Sequence, residues 1–134
     1  MLLTYSDSRD RLSDMKNKLK QIEKQIEKIK NELLALGDLR PGSLSKQLNV
    51  CGKAGCKCKD PKNPQKHGPY YQISYCRKGK SSSAFVRPES LAAVEMQLAN
   101  YKKLMELVNH WIDLALEHSK IKLDLTRNKN KKEQ

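Results

Sequence analysis

The feature that most constrains the fold of this chain is an unbroken heptad repeat of apolar residues in its N-terminal part. Between Leu12 and Leu36 the apolar positions alternate in steps of three and four, and Gly37 follows as a helix stop. This spacing places one narrow apolar stripe along an α-helix. Such a stripe is too narrow to bury itself, so the helix needs a partner. The stripe consists of Leu12, Met15, Leu19, Ile22, Ile26, Ile29, Leu33 and Leu36.

A second repeat follows Arg87-Pro88, where proline suits a first helical position. It runs from Leu91 to Ala115 in the same steps, and a parallel stripe from Leu104 to Leu125 lies beside it. We predict that the two helices form an antiparallel coiled-coil hairpin and that the spare stripe, Leu104 to Leu125, joins two hairpins into a four-helix homodimer. The alternative is a monomeric hairpin. The spare stripe consists of Leu104, Leu107, Trp111, Leu114, Ile121 and Leu125.

The segment between the helices has the pattern of a small β-sheet. Residues 44–50 alternate loosely between apolar and polar types, whereas Tyr71, Ile73 and Tyr75 alternate clearly. The stretch CRKGKS is turn-like and SAFVRP can return as a third strand. We predict a three-stranded meander. A sheet of this size with few large apolar residues is marginal alone and usually needs a metal or covalent staple.

Zinc is the staple that the cysteines favour. Three cysteines lie within eight positions as C-x4-C-x-C, with Gly52 and Gly55 in the bend. Structural zinc takes four nitrogen or sulfur ligands in a tetrahedron. His67 follows a loop that turns back towards the cysteines, and Cys76, at the far end of the next strand, is the alternative fourth ligand. The predicted zinc ligands are Cys51, Cys56, Cys58 and His67.

Two other uses of the cysteines are weaker. A redox site would favour C-x2-C before a helix, which this segment lacks. The chain has no apolar run long enough to span a bilayer and no secretion signal, so we expect it in the cytoplasm, with nucleoid association as an option. Disulfides are disfavoured because that compartment is reducing. Without a metal, the three residues would be ordinary thiols.

The positive charge is concentrated on the central segment. Residues 40–88 contain eleven Lys or Arg and one acidic residue, Asp60. This imbalance indicates a surface that faces a polyanion, DNA rather than RNA, and phosphates rather than bases because no recognition helix is evident. Tyr70 alternates to the face opposite Tyr71 and Tyr75 and is the candidate for base stacking. The predicted nucleic-acid-binding residues are Lys53, Lys57, Lys59, Lys62, Lys66, Tyr70, Arg77, Lys78 and Lys80.

The fold class is therefore mainly α with a small β insert. A large globular core is not expected, because only 37% of residues are hydrophobic and 31% are charged. We divide the chain into an N-terminal helix (1–39), a basic zinc-binding β module (40–88), an amphipathic helix (89–125) and a disordered basic tail (126–134).

An enzymatic function is not expected. Glu106, His110, Asp113 and Glu117 form a polar stripe on the last helix, but a di-iron site needs Glu-x2-His twice, facing inward, so we interpret the stripe as a solvated face. His118 is interpreted as a surface histidine. No glycine-rich phosphate loop or nucleophile elbow occurs.

The stretch RPGSLSKQLNVCGKAGCKCKDPKNPQKHGPYYQISY resembles a family of short prokaryotic proteins defined only as a domain of unknown function. The resemblance covers roughly residues 40–118, through the series G-S-L-S, C-G-K-x-G-C-x-C and H-G-P-Y-Y. It implies a hairpin, a long helix and a context near mobile elements, and Cys76 is outside the pattern. Two functions follow as expectations: a non-enzymatic zinc-dependent nucleic-acid-binding accessory or regulatory protein, or a coiled-coil adaptor that docks on a larger enzyme such as a transposase or nuclease.

Overall fold

The chain forms two long helices and a three-stranded antiparallel sheet in a computed structural model that describes the backbone of residues 3–133 and the side chains of residues 10–127. These elements divide between two compact units, Met1–Leu36 with Lys103–Gln134, and Gly37–Lys102. The predicted helices and meander are confirmed. The elements are α1 (Leu3–Leu34), β1 (Ser43–Asn49), β2 (His67–Arg77), β3 (Lys80–Val86) and α2 (Leu91–Glu133), with short 3₁₀ turns at Lys57–Lys59 and Pro88–Ser90.

The helical unit is held together by apolar side chains of α1 and of the later part of α2. Ile22 and Ile29 of α1 are buried together with Leu107 and Leu114 of α2. Each buried side chain of this kind stabilises the folded state by about 1.5–3 kcal/mol relative to exposure. Around this core pack the half-buried side chains of Ile26, Leu33, Leu36, Trp111 and Ile121.

These contacts correct the role predicted for the spare stripe of α2. Leu107, Trp111 and Leu114 face α1, so this stripe is the one already partnered within the chain. Because both stripes are apolar and adjacent on one helix, their spacing did not determine which of them α1 covers. The side chains left exposed belong to another row on α2, named here the exposed row: Met105, Ile112, Leu116 and Leu123.

Polar contacts show which residues of the two helices lie opposite each other. Lys18 Nζ lies 2.8 Å from Glu117 Oε1, and Lys30 Nζ lies 5.3 Å from the centre of the Trp111 ring. The contacts therefore pair later residues of α1 with earlier residues of α2. An exposed ion pair such as Lys18–Glu117 contributes at most about 1 kcal/mol, so the apolar core dominates. Coiled-coil geometry stays a prediction.

The sheet has the order β1-β2-β3, with both pairs antiparallel. Lys78 and Gly79 connect β2 to β3 with φ of 52° and 77°, the left-handed conformation that a two-residue hairpin turn requires. One face of the sheet packs on the first turns of α2, where Ile73, Val86 and Val94 are buried. Half-buried residues complete this core: Leu44, Tyr71, Leu91 and Leu98.

The opposite side of the sheet, named here the outer face, carries the alternate side chains of the strands. Gln72 of β2 pairs with Phe85 of β3 and with Ser45 of β1, and Gln47 pairs with Tyr70. Strand alternation therefore puts Tyr70 and Phe85 on the same side, away from Tyr71 and Ile73. Phe85 is 72% exposed and Tyr70 is 43% exposed.

Helix α2 is longer than the sequence predicted. Its backbone stays helical to Glu133, through residues that we assigned to a disordered tail. The stretch 126–133 contains no Gly or Pro to stop the helix. Gln134 lies outside the described residues. Among the described helices, none has the length and apolarity needed to cross a membrane.

Candidate metal centre

Three cysteines and one histidine come together beside the start of β2. The segment 50–66, named here the cysteine loop, leaves the end of β1, makes the 3₁₀ turn Lys57–Lys59 and returns at His67. Asn49 of β1 pairs with His67, so the sheet fixes both ends of the loop. Backbone hydrogen bonds close the loop itself, from Lys59 N–H to the Cys56 carbonyl (3.0 Å) and from Gln65 N–H to the Lys57 carbonyl (3.0 Å).

The four side chains converge on one point. One ligand atom from each of Cys51, Cys56, Cys58 and His67 lies within 4.8 Å of the other three. Cys51 Sγ lies 3.5 Å from Cys58 Sγ, and Cys56 Sγ lies 3.3 Å from His67 Nε2. Ligands at zinc–sulfur distances of about 2.3 Å in a tetrahedron stand about 3.8 Å apart, so the spacing and the donor types fit a tetrahedral ion.

Backbone N–H groups also stabilise the sulfurs. Cys51 N lies 3.4 Å from Cys58 Sγ and donates to it. The N–H of Lys53 lowers the pKa of the Cys51 thiol, and the N–H of Cys58 lowers that of the Cys56 thiol. Such donors stabilise thiolates, the form in which cysteine binds a metal. The loop is therefore folded as a holder for negatively charged sulfur.

The pKa values of two of the three thiols show the same preference. The N–H of Cys58, then the Cys51 side chain, lower the pKa of Cys56 to about 6. The Lys53 N–H and His67 lower the pKa of Cys51, whereas burial raises that of Cys58. Hydrogen bonds to Cys51 and Cys56 raise the pKa of His67. Among the three thiols of the cluster, Cys56 is therefore the most acidic.

Two glycines are required by the path of the loop. Gly55 has a φ of +81°, which residues with a Cβ rarely adopt, although a Cβ there would meet only open space. Gly68 has a φ of +120°, and a Cβ there would stand 2.8 Å from the Gln47 carbonyl oxygen. Gly68 therefore lets β2 approach β1 immediately after His67.

The structure distinguishes between the two candidates for the fourth ligand. His67 joins the cysteines, while Cys76 is exposed near the other end of β2 and pairs with Ser81. Strand β2 has eleven residues, so its ends are roughly 30 Å apart, far beyond the reach of a side chain. The assignment of the cluster to zinc stays a prediction.

The predicted nucleic-acid-binding residues are all exposed but fall into two groups. One lies on the cysteine loop beside the candidate metal centre, and the other lies at the β2–β3 turn, roughly 30 Å along the strand. The sequence suggested one basic surface because the residues are close in the chain. The first group is Lys53, Lys57, Lys59, Lys62 and Lys66, with Tyr70 following on β2, and the second is Arg77, Lys78 and Lys80.

A surface cavity beside the cluster includes an aromatic residue that is not among the predicted nucleic-acid-binding residues. Phe85 lines this cavity with Asn49, Cys51, His67 and Tyr70. The signal was the strand alternation of SAFVRP, which puts Phe85 and Val86 on opposite faces.

Two residues interpreted as lying on the surface also contact α1. Glu117, whose side chain is 43% exposed, pairs with Lys18, and His118 Nε2 lies 3.0 Å from Glu23 Oε1 with only 19% of the histidine side chain exposed. These contacts link the two helices.

The fold and the site define a class: a small mixed α/β protein with a Cys3His cluster at one end of an antiparallel sheet. A family profile described as Domain of unknown function (DUF6788) matches residues 19–96, so the chain belongs to that family. The matched stretch starts within α1 and ends early in α2, whereas the resemblance suggested 40–118. Comparisons with curated proteins and with solved structures gave no match.

Proposed function

We propose that the protein is a non-enzymatic zinc-binding, nucleic-acid-binding accessory or regulatory protein. The ligand set and spacing of the cluster support zinc, because three thiolates and an imidazole suit a closed structural site. In this proposal the ion fixes the fold of the cysteine loop, which the sheet holds at its ends and a few backbone hydrogen bonds close within.

The observation that supports nucleic-acid binding is the positive charge of the segment 40–88. Residues 40–88 hold eleven Lys or Arg, and Asp60, the single acidic residue, accepts a hydrogen bond from the Lys62 N–H at 3.0 Å. Three thiolates on Zn²⁺ leave one net negative charge, which Lys53, Lys57 and Lys59 offset. The remaining basic side chains can neutralise phosphates. We extend the proposal to an accessory role for a mobile element or transcription unit. The mobile-element context is the one that the resemblance implies.

A salt titration tests this function. The zinc-loaded protein should bind a labelled oligonucleotide at low salt, and log K should fall linearly with log salt concentration. The variant Lys59→Gln/Lys62→Gln/Lys66→Gln should reduce that slope by up to about 0.9 for each phosphate contact removed. The matched control, Lys102→Gln/Lys103→Gln/Lys122→Gln, removes the same charge from exposed positions of α2 and should leave the slope unchanged. Absence of binding at low salt refutes the proposal.

A second candidate function, that of a coiled-coil adaptor, depends on the exposed row on α2. Its four apolar side chains recur in steps of seven, four and seven, which lines them along one side of the helix. We assign this row to a second copy of the chain, in line with the homodimer predicted from the sequence. Docking on a larger nucleic-acid enzyme is the competing use. A chain that stays monomeric, loses a stable partner after Ile112→Glu/Leu116→Glu and still binds nucleic acid would favour the adaptor.

A further inference from the structure

The cavity beside the candidate metal centre has the size of a small-molecule site. Its volume is about 540 Å³, and volumes of this order accommodate an organic ring system. It opens on the outer face, which α2 leaves uncovered because the first turns of α2 pack against the other side of the sheet. The lining residues are Asn49, Cys51, His67, Tyr70 and Phe85.

Two aromatic rings border this cavity. Phe85 pairs across the strands with Gln72, and Tyr70 lies two residues from Gln72 on the same face, so the two aromatics are diagonal neighbours about 7–8 Å apart. A flat ring held between them at about 3.5 Å from each needs roughly 7 Å. Phe85 is 72% exposed, in a β module with few large apolar side chains, and it packs in neither buried cluster of the described residues. The spacing of the pair leaves room for one planar ligand.

The charge around the cavity selects the kind of planar ligand. Lys66 immediately precedes His67, and Lys53 follows Cys51 by two residues, so exposed ammonium groups flank two of the lining residues. The Asn49 side chain supplies one donor and one acceptor in the wall. A flat ring with hydrogen-bonding edges and an attached anion matches a nucleotide better than an apolar side chain of a protein.

We propose that the cavity binds one unpaired nucleobase of a single-stranded nucleic acid, stacked between Tyr70 and Phe85, while the cysteine loop holds the neighbouring phosphates. Bases in a duplex are stacked on one another and do not reach the cavity, so the protein prefers single strands to duplexes. This inference rests on the proposed nucleic-acid function and adds the form of nucleic acid that is recognised.

Fluorescence anisotropy of the full-length, zinc-loaded protein tests it with labelled probes of equal length. The probes are single-stranded DNA, single-stranded RNA, duplex DNA and a single strand built of abasic sites. We expect single strands with bases to bind most tightly. Phe85→Ala should weaken that binding about ten-fold and leave the abasic and duplex probes unaffected, whereas Phe85→Tyr should retain it. Ser83→Ala, an exposed change two residues away on the same strand, is the control.

The outcomes separate the inference from the function on which it rests. Equal binding of abasic and base-carrying strands, unchanged by Phe85→Ala but weakened by salt, overturns the base site and leaves phosphate binding in place. Tighter binding of duplex than of either single strand also overturns it. Failure of every probe to bind at low salt refutes the nucleic-acid function itself. If Phe85→Ala weakens the binding of one single-stranded probe more than the other, the base site prefers that type of nucleic acid, RNA or DNA.

Discussion

Cys56 Sγ and His67 Nε2 lie 3.3 Å apart although His67 follows Cys56 by eleven positions in the chain. One residue belongs to the cysteine loop and the other begins β2, so the contact depends on the pairing of Asn49 with His67. Sheet and cluster are therefore coupled, and a cation bound by the cluster would stabilise the register of the sheet.

We predict that the purified protein binds one zinc ion and that both Cys58→Ser and His67→Ala abolish stoichiometric binding. Each variant removes one of the four ligands of the cluster, in which Cys58 is the buried member. Native mass spectrometry with metal analysis measures the zinc content. Cys76→Ser is the matched control because this thiol is exposed and far from the cluster. Loss of zinc in Cys76→Ser with retention in His67→Ala would show that the wrong fourth ligand was assigned.

In the chelator-treated protein, Cys56 should be the cysteine of the cluster that iodoacetamide modifies at the lowest pH. The thiolate is the nucleophile, and its fraction rises with pH through a pKa of about 6 for Cys56, while burial raises the pKa of Cys58. Peptide mapping after short exposures from pH 5 to 8 gives the rate at each site. Exposed Cys76 reports reagent access. Modification of Cys58 before Cys56 contradicts the proposed distribution of protons.

Gly55→Ala and Gly68→Ala should both destabilise the β module, and Gly52→Ala should not. At Gly55 the left-handed φ costs a Cβ-bearing residue about 1–2 kcal/mol, and at Gly68 the Cβ also meets the Gln47 carbonyl. Gly52 lies in the same loop with open space around it, which makes it the matched control. Urea denaturation of the zinc-loaded proteins measures the free energy of unfolding. Equal stability of all three variants would contradict the backbone path of the loop.

Leu114→Ala should lower the free energy of unfolding of the helical unit by about 2–5 kcal/mol, because it opens a cavity between α1 and α2. Leu34→Ala is the same chemical change at a residue that is 85% exposed and should cost at most about 0.5 kcal/mol. Thermal unfolding followed by helical circular dichroism distinguishes the two. Comparable losses in both variants would mean that Leu114 does not face α1.

We predict that the protein is a homodimer through the exposed row of α2. Ile112→Glu/Leu116→Glu places two charges on that row without touching the core formed by Leu107 and Leu114. It should give monomers in native mass spectrometry, and its helix content should be unchanged. Glu106→Gln/Asp113→Asn, at neighbouring exposed polar positions, should leave the dimer intact. A wild-type chain that is monomeric at all concentrations refutes the assignment.

The periodicity of the sequence predicted elements well and partners poorly. The heptad spacing from Leu12 to Leu36 located α1 and its buried face, and the alternation around Ile73 located β2 and its buried side. The same spacing left two apolar stripes on α2 equivalent, and only contact with Ile22 and Ile29 shows that Leu107 and Leu114 are the buried pair. Nor could chain proximity show that Lys59 and Lys78 lie near opposite ends of β2.

What the sequence determined by itself is local: where helices and strands form, which side of each is apolar, and which donors are chemically suited to zinc. These follow from the repeat of 3.6 residues in a helix and two in a strand, and from the chemistry of thiols and imidazole. The tertiary structure decided what meets what. It brought His67 rather than Cys76 to the cluster and exposed Phe85 beside it, because such juxtapositions depend on strand register and on which face α2 covers.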